Sequence, residues 1–295
     1  MGYIKRYLIN SNFFTGCFKM PHDKITIHTI RARKKSREKI CAVTAYDCTF
    51  ARLVDRAGVD IILVGDSLAN TVMGLDSTVP VTMKQMIHHA TAVTRGNLRA
   101  LVAVDMPFGS VQEGPRLAVR NAVKIFKQAG VDAVKIEGGK KMAGVISAVV
   151  EANIPVIGHV GLMPQYRAML GGLKVQGKEL EAARQILDDA TAVAGAGCFA
   201  MVLEALPRPL AKLITERIPV PTIGIGAGPE CDGQILVLHD ILGLSEKAPK
   251  FTRQWAALAE QTVDAVSAYR KDVCEGNFPT DEHSFHMDES ILEQL

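Results

Sequence analysis

The run AVKIEGG (133–139) places Lys135 and Glu137 two residues apart. On a pleated strand they must face the same way, so a cation and an anion share one strand end. Taken alone, such a pair is an ordinary strand-end salt bridge. The same design recurs along the chain, however: Asp66 follows IILVG (61–65), Asp105 follows LVAV (101–104) and Glu204 ends FAMVLE (199–204). Any one of these acids would serve as a helix cap or a solvated loop residue. Four in the same slot point to one site, because parallel strands joined by helices gather their C-terminal ends on a single face.

Working outward, short apolar runs fall near 40–46, 61–65, 101–105, 132–137, 155–160, 199–204, 221–226 and 235–239. Helical spacing fills 49–57, 83–95, 115–129, 140–152, 178–195 and 207–217, with a longer stretch at 252–275. Gly114-Pro115 and the Pro207–Pro209 segment mark helix starts. Alternating β and α units with buried-type strands predict a parallel sheet, and eight strands predict a (β/α)₈ TIM barrel. The 295 residues are enough for one such domain, for which about 250 is typical. One interval is tight: between Ile225 and Ile235 there is no room for a full helix. Either the seventh crossover is abridged or QILVLHDIL (234–242) is itself helical. The extended loop 161–177 follows the fifth strand on the active face, where lids occur.

Composition narrows the function. The net charge of +3 is spread along the chain and gives no footprint for nucleic acid or an anionic membrane. The basic cluster RARKKSREK (31–39) reads as a solvated lead-in or short helix. No apolar stretch is long enough to span a bilayer. The six cysteines show no metal-binding spacing and read as reduced thiols of a cytoplasmic protein, with Cys41 and Cys198 as small core residues. Residues 1–23 form an acid-poor leader. They are an organellar presequence, or Met20 is the true start, and the barrel domain is expected over 24–286 with a tail at 287–295. GIGAG (224–228) lacks dinucleotide-loop spacing and reads as a tight turn, and the chain has neither a P-loop nor a G-x-S-x-G elbow.

The chemistry-bearing residues therefore sit at strand ends. Asp66 and Asp105, on neighbouring strands, present hard oxygen ligands suited to Mg²⁺. Lys135 beside them can bind a substrate carboxylate. His159, closing VIGHVG, is the one histidine in that slot and can hydrogen-bond a carbonyl or carboxylate oxygen, although a structural role is the commoner fate of such a residue.

TAYDCTFARL (44–53), LVGDSLANTVMGLDSTVPVT (63–82), DMPF (105–108), VKIEGG (134–139), GHVGLMPQ (158–165), GGLKVQG (171–177), LEALP (203–207) and GIGAGPECDGQILVLHD (224–240) occur in order. Together they resemble the ketopantoate hydroxymethyltransferase family. The resemblance implies a barrel of the phosphoenolpyruvate/pyruvate superfamily, assembled as a homo-oligomer, often a decamer. It also implies transfer of a hydroxymethyl group from 5,10-methylenetetrahydrofolate to 3-methyl-2-oxobutanoate. On this carry-over Asp66 and Asp105 bind Mg²⁺, and Glu137 completes the shell directly or through water. Ser67, Lys135 and His159 hold the 2-oxo acid together with Asp66 and Asp105, and Glu204 is the general base. That chemistry asks for these residue types, since a Lewis acid stabilises the enolate formed when the proton next to the ketone is removed. The family usually has an aromatic residue where Leu173 stands, and most members lack the leader. Two competing readings are a folate-independent 2-oxo acid lyase, against which the missing KKCGH segment counts, and a non-catalytic barrel, which would lose at least one site residue.

Overall fold

The computed structural model describes residues 24–172 and 174–295; the expectations for residues 1–23 and the departure at Leu173 lie outside the described residues. Eight parallel strands, β1 (Ile40–Thr44), β2 (Ile61–Val64), β3 (Leu101–Asp105), β4 (Ala133–Glu137), β5 (Val156–Gly161), β6 (Ala200–Glu204), β7 (Thr222–Ile225) and β8 (Gly233–Leu236), close into a barrel in sequence order. The helices are α1 (Ile27–Ser36), α2 (Cys48–Arg56), α3 (Leu68–Thr71), α4 (Met83–Gly96), α5 (Pro115–Ala129), α6 (Ala143–Glu151), α7 (Arg167–Leu170), α8 (Leu180–Gly195), α9 (Arg208–Arg217), α10 (Leu238–Ile241) and α11 (Leu258–Glu275). The barrel expected from the rhythm of apolar runs is the fold found. Local chemistry sets the helix starts: Pro115 opens α5, and Thr82 with Gln85 forms a reciprocal cap on α4.

The inner core follows the two-residue period. Leu101 and Ala103, Ala133, Ile157, Ala200 and Val202 point inward and pack with Ile40, Ile61 and Ile235. Continuing the same parity beyond that apolar layer brings Asp105, Lys135, Glu137, His159 and Glu204 to the C-terminal mouth. The opposite end is closed by Ile30 of α1 and by Phe199, both in the inner cluster. The basic cluster is thus part of a helix rather than a solvated lead-in. Arg33 pairs with buried Asp60 at 2.5 Å, and Lys34 reaches Asp232 at 2.8 Å, stapling α1 across the barrel floor.

Two expectations need correction. The eighth strand is Gly233–Leu236, not 235–239, and the chain then enters α10; Gly233 is required because a Cβ there would lie 2.4 Å from the Ile40 carbonyl oxygen. The seventh crossover, by contrast, is the abridged one that the tight interval allows: it carries no helix, and Gly226 and Gly228, both at positive φ, make the tight turn expected from GIGAG. Cys41 is exposed rather than a core residue, whereas Cys198 is buried. Cys41 points outward on β1 toward a bare apolar groove of about 550 Å³, bounded by Phe50, Leu53, Val54, Leu236, Ile241 and Trp255. The longest helix, α11, leaves the barrel beyond this groove and has no buried residue.

Candidate active site

Strand register assembles the site. β3 pairs Asp105 with Lys135 of β4, β4 pairs Glu137 with His159 of β5, and β5 pairs Gly161 with Glu204 of β6. Lys135 Nζ lies 2.6 Å from Asp105 Oδ1 and 3.8 Å from Glu137 Oε1. His159 bridges two acids, with Nδ1 3.4 Å from Glu137 Oε1 and Nε2 3.2 Å from Glu204 Oε2. Asp66, just beyond β2, donates its backbone N–H to Asp105 Oδ2 at 3.0 Å. Ser67 Oγ meets the hydroxyl of buried Tyr46 at 2.8 Å.

All seven residues expected from the sequence, Asp66, Ser67, Asp105, Lys135, Glu137, His159 and Glu204, line one cavity of about 170 Å³. Above it opens a vestibule of about 810 Å³, which shares Ser67, Asn70, Thr78, Pro164, Glu204 and Ile225 with the inner cavity. Arg167, Lys247, His239 and Phe251 line the outer part. The 161–177 segment is not a plain loop. Gly161 at positive φ turns the chain out of β5 over the Glu204 carbonyl, and a 3-10 turn (Pro164–Tyr166) leads into α7.

Burial makes the electrostatics severe. Asp66 is pushed up to about 8 by burial and by the neighbouring charges of Asp105 and Glu137, so its carboxyl is largely protonated at neutral pH. Burial and Lys135 lower the His159 imidazole, but hydrogen bonds to Glu137 and Glu204, with the Glu137 charge, outweigh them and hold it at about 9. Glu137 is raised by burial and lowered more strongly by His159, Lys135 and the Gln165 N–H, and so stays ionised. Lys135 stays charged because Asp105, Glu137 and Asp66 outweigh its burial.

The donor set fits a hard divalent cation. Two carboxylates on adjacent strands, one of them carrying an energetically costly proton, gain from a cation that replaces that proton. Among the described residues no group of three or more His, Cys, Asp or Glu side chains forms a ready cage, so a cation held here would take its remaining ligands from water and substrate oxygens. Glu137 already serves His159, Lys135 and Gln165.

Sequence reasoning missed two residues. Tyr46 braces Ser67 from beneath. Gln165 is buried, and its Nε2 donates to Asp66 Oδ2 at 2.9 Å and to the Met106 carbonyl at 3.0 Å. The signal was Pro164-Gln165 within GHVGLMPQ, but a loop residue carries no periodicity that would reveal where its side chain turns.

The profile of the ketopantoate hydroxymethyltransferase family matches residues 24–281. The chain is 49% identical over 269 residues to a 3-methyl-2-oxobutanoate hydroxymethyltransferase of Heliobacterium modesticaldum, covering 91% of this chain and 98% of that one. It is 52% identical over 263 residues to the enzyme of the same name from Moorella thermoacetica, covering 89% and 98%. Among solved structures, phosphonopyruvate hydrolase with oxalate and Mg²⁺ superposes with a TM-score of 0.57 at 16% identity, covering 90% of this chain and 93% of that one. A 2,3-dimethylmalate lyase of the PEP mutase/isocitrate lyase superfamily gives 0.55 at 19%, covering 91% and 97%. Both likenesses speak to the fold alone. With the family profile spanning most of the sequence and the relatives matching nearly end to end, the chain belongs to the ketopantoate hydroxymethyltransferase family.

Proposed function

We propose that the enzyme transfers a hydroxymethyl group from 5,10-methylenetetrahydrofolate to 3-methyl-2-oxobutanoate, consuming water and releasing 2-dehydropantoate and tetrahydrofolate, as the first step of pantothenate synthesis. The observation that carries this reading is the convergence of all seven residues on one small cavity beneath a larger vestibule. The inner volume suits a five-carbon 2-oxo acid. The outer one suits a pteridine-bearing donor, and Glu204 borders both.

Asp66 and Asp105 would hold Mg²⁺, with Glu137 completing the shell directly or through water. Bound there, the ion supplies a Lewis acid to the negative charge that develops on the substrate's keto oxygen. Lys135 and Ser67 hold the 2-oxo acid. Glu204, a partly exposed carboxylate at the boundary of the two cavities, removes the C3 proton, and the carbon so activated attacks the one-carbon unit arriving from the vestibule. His159 lies between Glu137, 3.4 Å from Nδ1, and Glu204, 3.2 Å from Nε2, with Lys135 Nζ 3.3 Å from Nδ1, a place from which it would hold the 2-oxo acid and orient Glu204.

We assign residues 24–286 to one barrel domain in the cytoplasm; among the described residues no helix is long and apolar enough to cross a membrane. Assembly as a homo-oligomer is supported by the bare apolar groove and by α11, which has no buried residue.

The test is proton NMR of 3-methyl-2-oxobutanoate in D₂O with protein and Mg²⁺, followed by turnover with methylenetetrahydrofolate. Metal-dependent loss of the C3 proton signal and formation of 2-dehydropantoate are expected. Absence of both in folded, Mg²⁺-loaded protein would overturn the proposal.

A further inference from the structure

Gln165 touches three strand ends at once. Its side-chain amide donates to Asp66 beyond β2 and to the Met106 carbonyl beyond β3, while its backbone N–H donates to Glu137 Oε2 of β4 at 3.2 Å. The side chain is buried, so these bonds have no water to replace them. We propose that Gln165 is a positioning residue for the divalent-cation site and that it couples seating of the 162–172 segment to cation binding. The inference rests on the metal reading given above.

The argument turns on what a primary amide can do. Asp66 has two carboxylate oxygens, and a donor fixed on Oδ2 sets the carboxylate's rotation and leaves Oδ1 for the cation. Outer-shell donors of this kind orient the ligands of metal sites. Gln165 Nε2 has two hydrogens, and the structure gives both a buried acceptor. Leucine offers no donor, and glutamate would add a fourth acid against Asp66, Asp105 and Glu137.

The coupling follows from the residue's address. Gln165 lies in the 3-10 turn (Pro164–Tyr166), between the Leu162 N–H, which donates to the Glu204 carbonyl at 2.9 Å, and Arg167, whose guanidinium donates to the Asp76 carbonyl at 3.1 Å. Pro164 lines both cavities. The segment that roofs the pocket is thus held by the same carboxylate that would hold the cation. By linkage, whatever the seated segment adds to cation affinity, the cation adds to the seating.

The experiment is Mg²⁺ titration by calorimetry of wild type and Gln165→Leu, with hydrogen exchange of the 162–172 amides with and without Mg²⁺. Gln165→Leu should weaken Mg²⁺ binding roughly 10- to 100-fold, raise the Mg²⁺ concentration needed for turnover and recover most of kcat at saturation. Gln165→Asn should fall between the two. In wild type, Mg²⁺ should slow exchange across residues 163–167, and Gln165→Leu should abolish that protection. A folded Gln165→Leu that binds Mg²⁺ within twofold of wild type would overturn the role of Gln165 alone. If the variant does not fold, wild-type exchange decides, and exchange unaffected by bound Mg²⁺ overturns the coupling. Wild type that binds no Mg²⁺ would overturn the metal reading and this inference with it.

Discussion

Lys135 Nζ and Asp105 Oδ1 form an ion pair at 2.6 Å in which neither side chain is more than 6% exposed. Removing Asp105 takes away the nearer acid and leaves the buried Lys135 ammonium with Glu137 at 3.8 Å, a loss for which about 3–5 kcal/mol is the range of broken buried pairs. Asp66, one strand away, is in the opposite condition, since burial and two neighbouring acids push it up to about 8. The two proposed ligands should therefore separate in the metal-free protein. Asp105→Ala is expected to lose about 3–5 kcal/mol, whereas Asp66→Asn, which mimics the protonated acid, should leave stability unchanged or raise it. Both should lose Mg²⁺ binding. Urea denaturation at pH 7 without metal is the measurement, and an Asp66→Asn variant that falls as far as Asp105→Ala would refute the asymmetry.

The same protonation sets the pH dependence of metal binding. A cation that displaces the Asp66 proton binds more weakly as pH falls, so Mg²⁺ affinity should drop up to about tenfold per unit below pH 8 and level off above it. Calorimetry in buffers of different ionisation enthalpy should detect close to one proton released at pH 7. Release of none would show that Asp66 is already ionised.

Stability without metal should run the other way. Asp66 and His159, held at about 8 and about 9, both bind protons more tightly in the folded state than in the unfolded one. Their contribution is fully present below the unfolded values, about 3.9 and about 6.5, and is lost as pH rises through the folded ones. The metal-free protein should therefore become less stable between pH 5 and pH 9 as these groups lose their protons, and Asp66→Asn should flatten the lower part of that fall. A denaturation midpoint that climbs across this range in wild type would contradict both assignments.

Glu204→Gln tests the base. Glu204 Oε2 faces His159 Nε2 at 3.2 Å, and an amide of the same shape can occupy that place without accepting a proton from carbon. The variant should bind Mg²⁺ and the 2-oxo acid within a few-fold of wild type while C3 exchange into D₂O slows by about 10²–10⁴. Exchange at the wild-type rate would remove Glu204 from the role.

The two-residue period made the barrel and the strand-end carboxylates legible, because Asp105, Lys135, Glu137, His159 and Glu204 extend the inward parity of a buried strand. What stayed hidden depends on contacts between distant segments. Gln165 reaches Asp66 across ninety-nine positions of sequence, from a turn with no period of its own. The bounds of β8 are hidden because Gly233-Gln234 lacks apolar character, while the Leu236-Val237-Leu238 run continues through the strand end into α10. The exposure of Cys41 is hidden because an apolar strand normally has a helix on its outer face, and here that face of β1 is bare.

That bare face yields the last prediction. Val263, Val266, Tyr269 and Val273 recur at intervals of three and four along α11, which places them on one side of the helix, and all are exposed. The groove beside β1 and β8 offers the apolar wall of Phe50, Leu53, Val54, Ile241 and Leu242. Two apolar faces left open in one chain are what association between copies covers, since exposed patches of this extent mark interaction sites. Light scattering of the purified protein should give a mass of several chains. Val266→Asp with Tyr269→Asp should lower that mass and expose Trp255 to quenchers, while circular dichroism stays that of a folded barrel. A wild-type protein that runs as a single chain of 31.9 kDa at micromolar concentration would show that these faces remain open in solution.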